Sequence, residues 1–181
     1  LGENIKNVEI DPVYRDIIAP LDKPLHNSGG IAVLKGNLCP DGALIKPKAV
    51  IDKKLLKHKG KAVVFSSIQE MESRINDPDL EVTPDSILVL QNAGPLGARG
   101  MSEAGMIAIP EKLLKMGIRD MVRISDCRMS GTAFGTVILH AAPEAAVGGP
   151  IGLIRDGDWI ELDVENRKLE LLVSEEELEE R

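Results

Sequence analysis

Ser130, Gly131 and Thr132 set two hydroxyls two positions apart around a glycine, between two apolar runs. A tight loop there would expose both hydroxyls to a ligand. A serine hydroxyl is a weak base and a weak nucleophile unless a neighbour stabilises its ionised form, and no His–Asp partner stands at a recognisable spacing. Activation must then come from a metal or from groups distant in the chain. Most serines in Ser-Gly-Thr loops satisfy only local backbone groups, so residue types alone leave both readings open. The second candidate is Glu103, just after Gly94-Pro95-Leu96-Gly97-Ala98-Arg99-Gly100. That loop lacks the Gly-Lys-Ser/Thr ending of a P-loop and the spacing of a dinucleotide fingerprint. It offers a backbone that can approach a ligand closely, then a carboxylate of the kind a hard cation such as magnesium takes together with other oxygens. On spacing alone, a surface charge is the commoner role for such a glutamate.

Two cysteines, Cys39 and Cys127, lie far apart and form no metal-ligand spacing, so by themselves they cannot hold an iron–sulfur cluster. Each reads as a small buried thiol. His26, His58 and His140 are scattered singly and read as structural or surface residues. A net charge of −7 and a pI near 5.1 oppose binding to a phosphate backbone, and one Trp, one Tyr and two Phe leave few stacking platforms, so nucleic acid is excluded as a partner. No apolar stretch reaches the roughly 20 residues of a membrane span, and the first residues of this sequence lack the basic region and apolar run expected of a signal peptide. A cytoplasmic setting without membrane partners is expected. The chain starts with Leu1 directly in polar sequence, as expected of a piece of a longer protein or a processed product.

At 181 residues and 43% hydrophobic composition, the chain can close one substantial core. Residues 1–29 carry Pro12, Pro20 and Pro24 and end in Asn27-Ser28-Gly29-Gly30, a composition that breaks regular structure and predicts a connecting arm ahead of a domain over 30–181. Strands are predicted over 31–34, 43–45, 61–65, 86–90, 121–124, 136–139, 151–154, 159–164 and 168–173, the last three as an antiparallel meander. Ser67 and Glu70 have capping-box spacing before a helix over about 68–76. Pro110 opens a second helix ending at Met116 before Gly117, and Ser174 with Glu177 caps a glutamate-rich terminal helix. Without regular βαβ alternation, a β-rich α/β barrel or sandwich fits better than a doubly wound sheet. The acidic run Glu175–Glu180 is predicted to be a solvated helix face.

The segments Gly36-Asn37-Leu38-Cys39-Pro40-Asp41-Gly42-Ala43, Asn92-Ala93-Gly94-Pro95, Gly100-Met101-Ser102-Glu103-Ala104-Gly105, Arg123-Ile124-Ser125-Asp126-Cys127-Arg128-Met129-Ser130-Gly131-Thr132 and Pro143-Glu144-Ala145-Ala146 follow one another in this order. In that order and register the chain resembles the carboxyl-terminal domain of the dihydroxyacid and phosphogluconate dehydratase family over nearly its full length. Gly149-Pro150-Ile151, Asp156-Gly157-Asp158 and Asn166-Arg167 match the family's ending.

The resemblance implies a swivelling β/β/α domain, similar to the mobile domain of aconitase-like enzymes, with about eight short strands. It implies a preceding domain that supplies the cysteine ligands of an iron–sulfur cluster and most ligands of a magnesium ion. It also implies homo-oligomerisation of the full-length protein. Glu103 matches the family's further magnesium ligand; Ser102 stands where the family usually has proline, and the carboxylate is kept. Ser130 matches the catalytic serine, with Thr132 the neighbouring hydroxyl. The implied reaction dehydrates a 2,3-dihydroxy acid to a 2-keto-3-deoxy acid: magnesium holds the carboxylate and C2 oxygen, cluster iron acts on the departing C3 hydroxyl, and Ser130 removes the C2 proton. The Arg-Met-Ser-Gly-Thr-Ala-Phe-Gly-Thr form resembles the pentonate branch, which acts on arabinonate or xylonate, more than the branched-chain biosynthetic enzyme acting on dihydroxyisovalerate. The competing expectation is a binding or regulatory module that kept the fold without the chemistry. By itself the 181-residue chain is expected to be inactive.

Overall fold

The computed structural model describes residues 17–20, 22–100 and 102–181. Eight strands form one sheet: β1 (Ala32–Leu34), β2 (Gly42–Ile45), β3 (Lys57–Phe65), β4 (Ile87–Leu90), β5 (Arg123–Ser125), β6 (Val137–Ala142), β7 (Trp159–Asp163) and β8 (Lys168–Leu171), in the order β1-β2-β6-β5-β4-β3-β7-β8. The central four, β3 to β6, run parallel. Antiparallel pairs extend the sheet on both sides, through β2 and β1 and through β7 and β8.

The outermost strands meet. Lys35, just past β1, bridges Lys168 at the start of β8, donating to Arg167 O at 2.9 Å and accepting from Leu169 N at 2.9 Å. The Asn37 side chain continues the seam by pairing with both backbone groups of Leu171, at 2.8 and 2.7 Å. Between these contacts Gly36 lies so close to β8 that a Cβ would stand 1.9 Å from Leu169 O. The result is the expected β-rich α/β barrel, and the Gly36-Asn37 pair is its fastener.

Barrel closure explains the hydrophobic pattern. β4 is buried along its whole length, so it reads as a continuous apolar run. Ile87 and Val89 point into the barrel with Ala62, Ile124, Ile138, Ile160, Leu162 and Leu169. Leu88 and Leu90 point outward, under a second layer with Phe65, Ile75, Leu80, Ile107, Leu113 and Met121. Each such side chain contributes about 1.5–3 kcal/mol by leaving water. The outer layer is covered by α1 (Ile68–Arg74), α2 (Glu111–Lys115) and the loops around them. A third short helix, α3 (Glu175–Glu180), follows β8 with its glutamates exposed, as predicted.

The predicted caps form, with one shift. Ser67 accepts from Glu70 N at 3.2 Å, but the Glu70 carboxylate reaches back to Ser66 N at 2.8 Å rather than to Ser67. Pro110 is the residue before α2 rather than its first, and Gly117 follows with φ +90. Ser174 accepts from Glu177 N at 3.2 Å.

One predicted strand is absent: Pro150–Leu153 is a 3-10 turn, so the final sheet segment is the β7–β8 hairpin and not a three-stranded meander. Ile151 and Ile154 still bury into the barrel core, which is why the stretch is apolar without being a strand. β3 starts four residues before its predicted position, because its lysine-rich first half pairs with β7. Of the predicted arm over 1–29, residues 1–16 and 21 lie outside the described residues; 17–20 and 22–29 form turns and bends. Among the described residues no helix is long and apolar enough to cross a membrane.

Gly36→Ala is expected to destabilise the chain by about 1–3 kcal/mol in urea denaturation, since the new methyl must push the seam apart. Gly30→Ala, with open space around it, should stay within about 0.5 kcal/mol of the parent.

Candidate active site

Two loops, those after β4 and β5, carry the candidate residues, and one buried carboxylate ties them to each other and to the loop after β6. Asp126, at the end of β5 and only 2% exposed, accepts from Ala93 N in the loop after β4 at 2.9 Å and from Ala145 N in the loop after β6 at 3.0 Å. A charge is tolerated there because both carboxylate oxygens receive backbone donors. A second acid completes the frame. Glu144 accepts from Leu96 N at 3.0 Å and Gly97 N at 3.3 Å, so the glycine-rich loop wraps a carboxylate rather than a phosphate. Gly94 is required for that approach: a Cβ there would lie 2.1 Å from Glu144 Oε2.

Glu103 and Arg128 form an ion pair at 2.5 Å, each side chain 44% exposed. This contact places Glu103 beside the segment that carries Ser130, two residues further on. Next to it, Gly105 packs on Cys127 and Leu139. Ser130 Oγ lies 3.0 Å from Thr132 Oγ1 and accepts from Thr132 N at 3.3 Å. The two predicted hydroxyls are thus brought together in one turn. Ser130 is half-buried and lines a cavity of about 260 Å³ with Ile31, Leu44, Lys46, Met129 and Gly131.

Two residues that grip this turn escaped the sequence reading as site residues. Lys46, just past β2, donates to Ser130 O at 2.6 Å and Gly131 O at 3.0 Å. His140 holds the other side: its backbone N donates to Cys127 O at 2.9 Å, and its Nε2 accepts from Met129 N at 2.8 Å. Between Leu139 and Ala142, β6 takes three steps against two on β2, and His140 adopts φ +54. This β-bulge turns the His140 N–H out of the ladder toward the turn. His140 is structural, as expected, but what it supports is the Ser130 segment. The Lys46 contact spans 84 residues of sequence, and no local signal announces it.

The donor set limits what the chain can hold. Among the described residues no three or more His, Cys, Asp or Glu side chains gather as a metal site. Glu103, exposed and oxygen-bearing, fits a single ligand to a hard cation once Arg128 releases it. The cysteines do not fit a cluster. Both are fully buried, and burial pushes the Cys39 thiol up to about 12 and raises that of Cys127.

The family described as Dihydroxy-acid/6-phosphogluconate dehydratase C-terminal matches residues 16–181. The chain belongs to this dehydratase family. It is 55% identical over 166 residues to an L-arabinonate dehydratase of Rhizobium leguminosarum bv. trifolii (strain WSM2304), covering 92% of this chain and 28% of that protein. A 6-deoxy-6-sulfo-D-gluconate dehydratase of Pseudomonas putida is 52% identical over 174 residues, 94% of this chain and 30% of the relative. A dihydroxy-acid dehydratase of Methanobrevibacter smithii (strain ATCC 35061 / DSM 861 / OCM 144 / PS) is 44% identical over 181 residues, 100% of this chain and 32% of the relative. The dehydratase domain therefore spans less than a third of the length of these curated relatives.

To accept from Met129 N, His140 Nε2 must be unprotonated. Burial lowers the His140 pKa from its ordinary 6.5, so this support is present above about pH 6.5 and is lost as pH falls through the depressed folded value. Amide exchange at Met129, corrected for intrinsic rate, should accelerate only below pH 6.5. Acceleration beginning above that pH would contradict the assigned contact. Asp126→Ala leaves two amides without their acceptor and should destabilise the chain by about 2–4 kcal/mol in denaturant titrations.

Proposed function

We propose that this domain completes the active site of a hydro-lyase that dehydrates a 2,3-dihydroxy carboxylic acid to a 2-keto-3-deoxy acid, with Ser130 as the proton-abstracting base. The observation that carries the proposal is the Ser130–Thr132 hydroxyl pair, in a turn braced from both sides that starts two residues beyond the Arg128 paired with Glu103. A loop that merely satisfied its own backbone would not need Lys46 and His140 to hold it. In the whole protein the domain would close on a preceding domain that carries the iron–sulfur cluster ligands and the remaining magnesium ligands. The swivelling-domain role, the connecting arm over 1–29 and the homo-oligomer are parts of the same proposal.

Glu103 would supply one oxygen to the magnesium. When bound, the two metal centres supply Lewis-acid polarisation of the substrate's carboxylate and hydroxyl oxygens. The chain's own residues move the proton. Ser130, ionised to its alkoxide, takes the C2 proton on Oγ as the C3 hydroxyl departs; passing that proton to the departing hydroxide releases one water and restores the alkoxide, and the enol left behind rearranges to the keto acid. Thr132 donates from its backbone N–H, and can donate its hydroxyl proton, to Ser130 Oγ, which favours the ionised serine before it takes the proton. Exposed Ile31 and Phe134 flank this region and would be covered on closure.

A sugar acid such as arabinonate or xylonate is the proposed substrate. The relatives named for an arabinonate and for a sulfo-sugar acid are 55% and 52% identical, against 44% for the dihydroxy-acid dehydratase of M. smithii. In the full-length protein, Ser130→Ala should lower kcat by at least about 10²-fold, with the cluster absorbance unchanged. Substantial turnover by that variant would remove the assigned role of Ser130. Assays on pentonates, hexonates and dihydroxyisovalerate decide the substrate, with pentonates expected to give the highest kcat/KM.

A further inference from the structure

We propose that Lys46 is a positioning residue for the proton transfer, fixing the Ser130 turn and holding a positive charge on the backbone of the residue whose hydroxyl must ionise. This rests on the reading of Ser130 as the base. An ammonium has three donors and no acceptor. Lys46 directs two of them to consecutive carbonyls, Ser130 O and Gly131 O, at 2.6 and 3.0 Å. Consecutive carbonyls in an extended chain point to opposite sides, so a single ammonium reaches both only when the chain curls around it. The same curl brings Thr132 N and Thr132 Oγ1 onto Ser130 Oγ.

The second effect is electrostatic. Lys46 comes off β2 into a cavity whose other walls include Ile31, Leu44 and Met129. The contact with Ser130 O is part-buried, where a charge is less screened by solvent than at a fully exposed site. A nearby cation favours the ionised form of an acid. The titratable groups around the turn are Lys46 from β2, His140 from the β6 bulge, Asp126, Cys127 and Arg128 in the segment leading into it, and Glu103 in the loop after β4. Asp126 is turned toward the Ala93 and Ala145 amides, and Arg128 lies against Glu103; magnesium on Glu103 would change the charge there equally in every Lys46 variant, so the comparison among them isolates Lys46. Lys46 thus supplies the positive charge in contact with the backbone of Ser130 itself. It answers, from 84 residues away, the requirement that something stabilise the ionised serine.

The test compares Lys46→Arg, which keeps charge and donors, with Lys46→Gln, which keeps donors but no charge, in the full-length metal-loaded protein. Lys46→Met repeats the neutral arm should Lys46→Gln fail to fold. In the neutral variant kcat should fall about tenfold or more while KM changes less. The rising limb of kcat against pH should move upward by about half a unit or more. A substrate deuterated at C2 should show a larger isotope effect, because proton removal has become slower. Lys46→Arg should keep the limb in its parental position. Coincident pH profiles for the Arg and neutral variants would overturn the inference, as would an unchanged kcat in the neutral variant. Ser130→Ala separates the two levels: if that variant is inactive and the profiles coincide, only the role of Lys46 fails, whereas an active Ser130→Ala removes the base assignment and this inference with it.

Discussion

The architecture of the site depends on the Asp126 carboxylate. It sits at the end of β5, where the parallel strands deliver their loops, and binds one amide after β4 and one after β6. Buried at 2% exposure, it cannot be released to water without rearranging all three loops. Ser125 supports the same corner by accepting from Cys127 N at 3.2 Å, which sets the direction in which the Ser130 segment leaves the strand. The turn that carries Ser130 is therefore built outward from a fixed point in the core.

From that point order decreases in steps. The residues from Arg123 to Cys127 are buried; Arg128 and the turn beyond it are exposed or half-buried. The segment is anchored again at its far end, where Gly135 N donates to Ala49 O and Thr136 binds Asp120 through both its N–H and its hydroxyl. Between the anchors, Lys46 and His140 hold the middle by its backbone alone. The side chains there make their own contacts, Arg128 with Glu103 and Ser130 with Thr132. The result is a rigid frame around a turn whose hydroxyls are neither deeply buried nor without support.

The glycine-rich loop shows how a motif can mislead when read by composition alone. Its backbone donors converge on an anion, as such loops often do, but the anion is Glu144 of the same chain. The loop is thereby tied to the segment after β6, and Glu103 follows it in the chain. The Gly36-Asn37 motif has a similar character, since it closes the barrel and takes no part in the site.

Local signals in the sequence determined what is set by neighbouring residues. Burial on both faces is written into the apolar run of β4, capping into Ser67 and Ser174, and the hydroxyl pair into the two-residue spacing of Ser130 and Thr132. The same signals failed at Pro150–Leu153, where an apolar run serves packing and not pairing. Family membership was legible too, because several motifs held their order. The tertiary structure alone decided which distant groups meet: the closure of β1 on β8, the pairing of Glu103 with Arg128, the bulge that aims His140, and Lys46 beneath Ser130. Those contacts follow from strand order and register, which residue spacing along the chain does not encode.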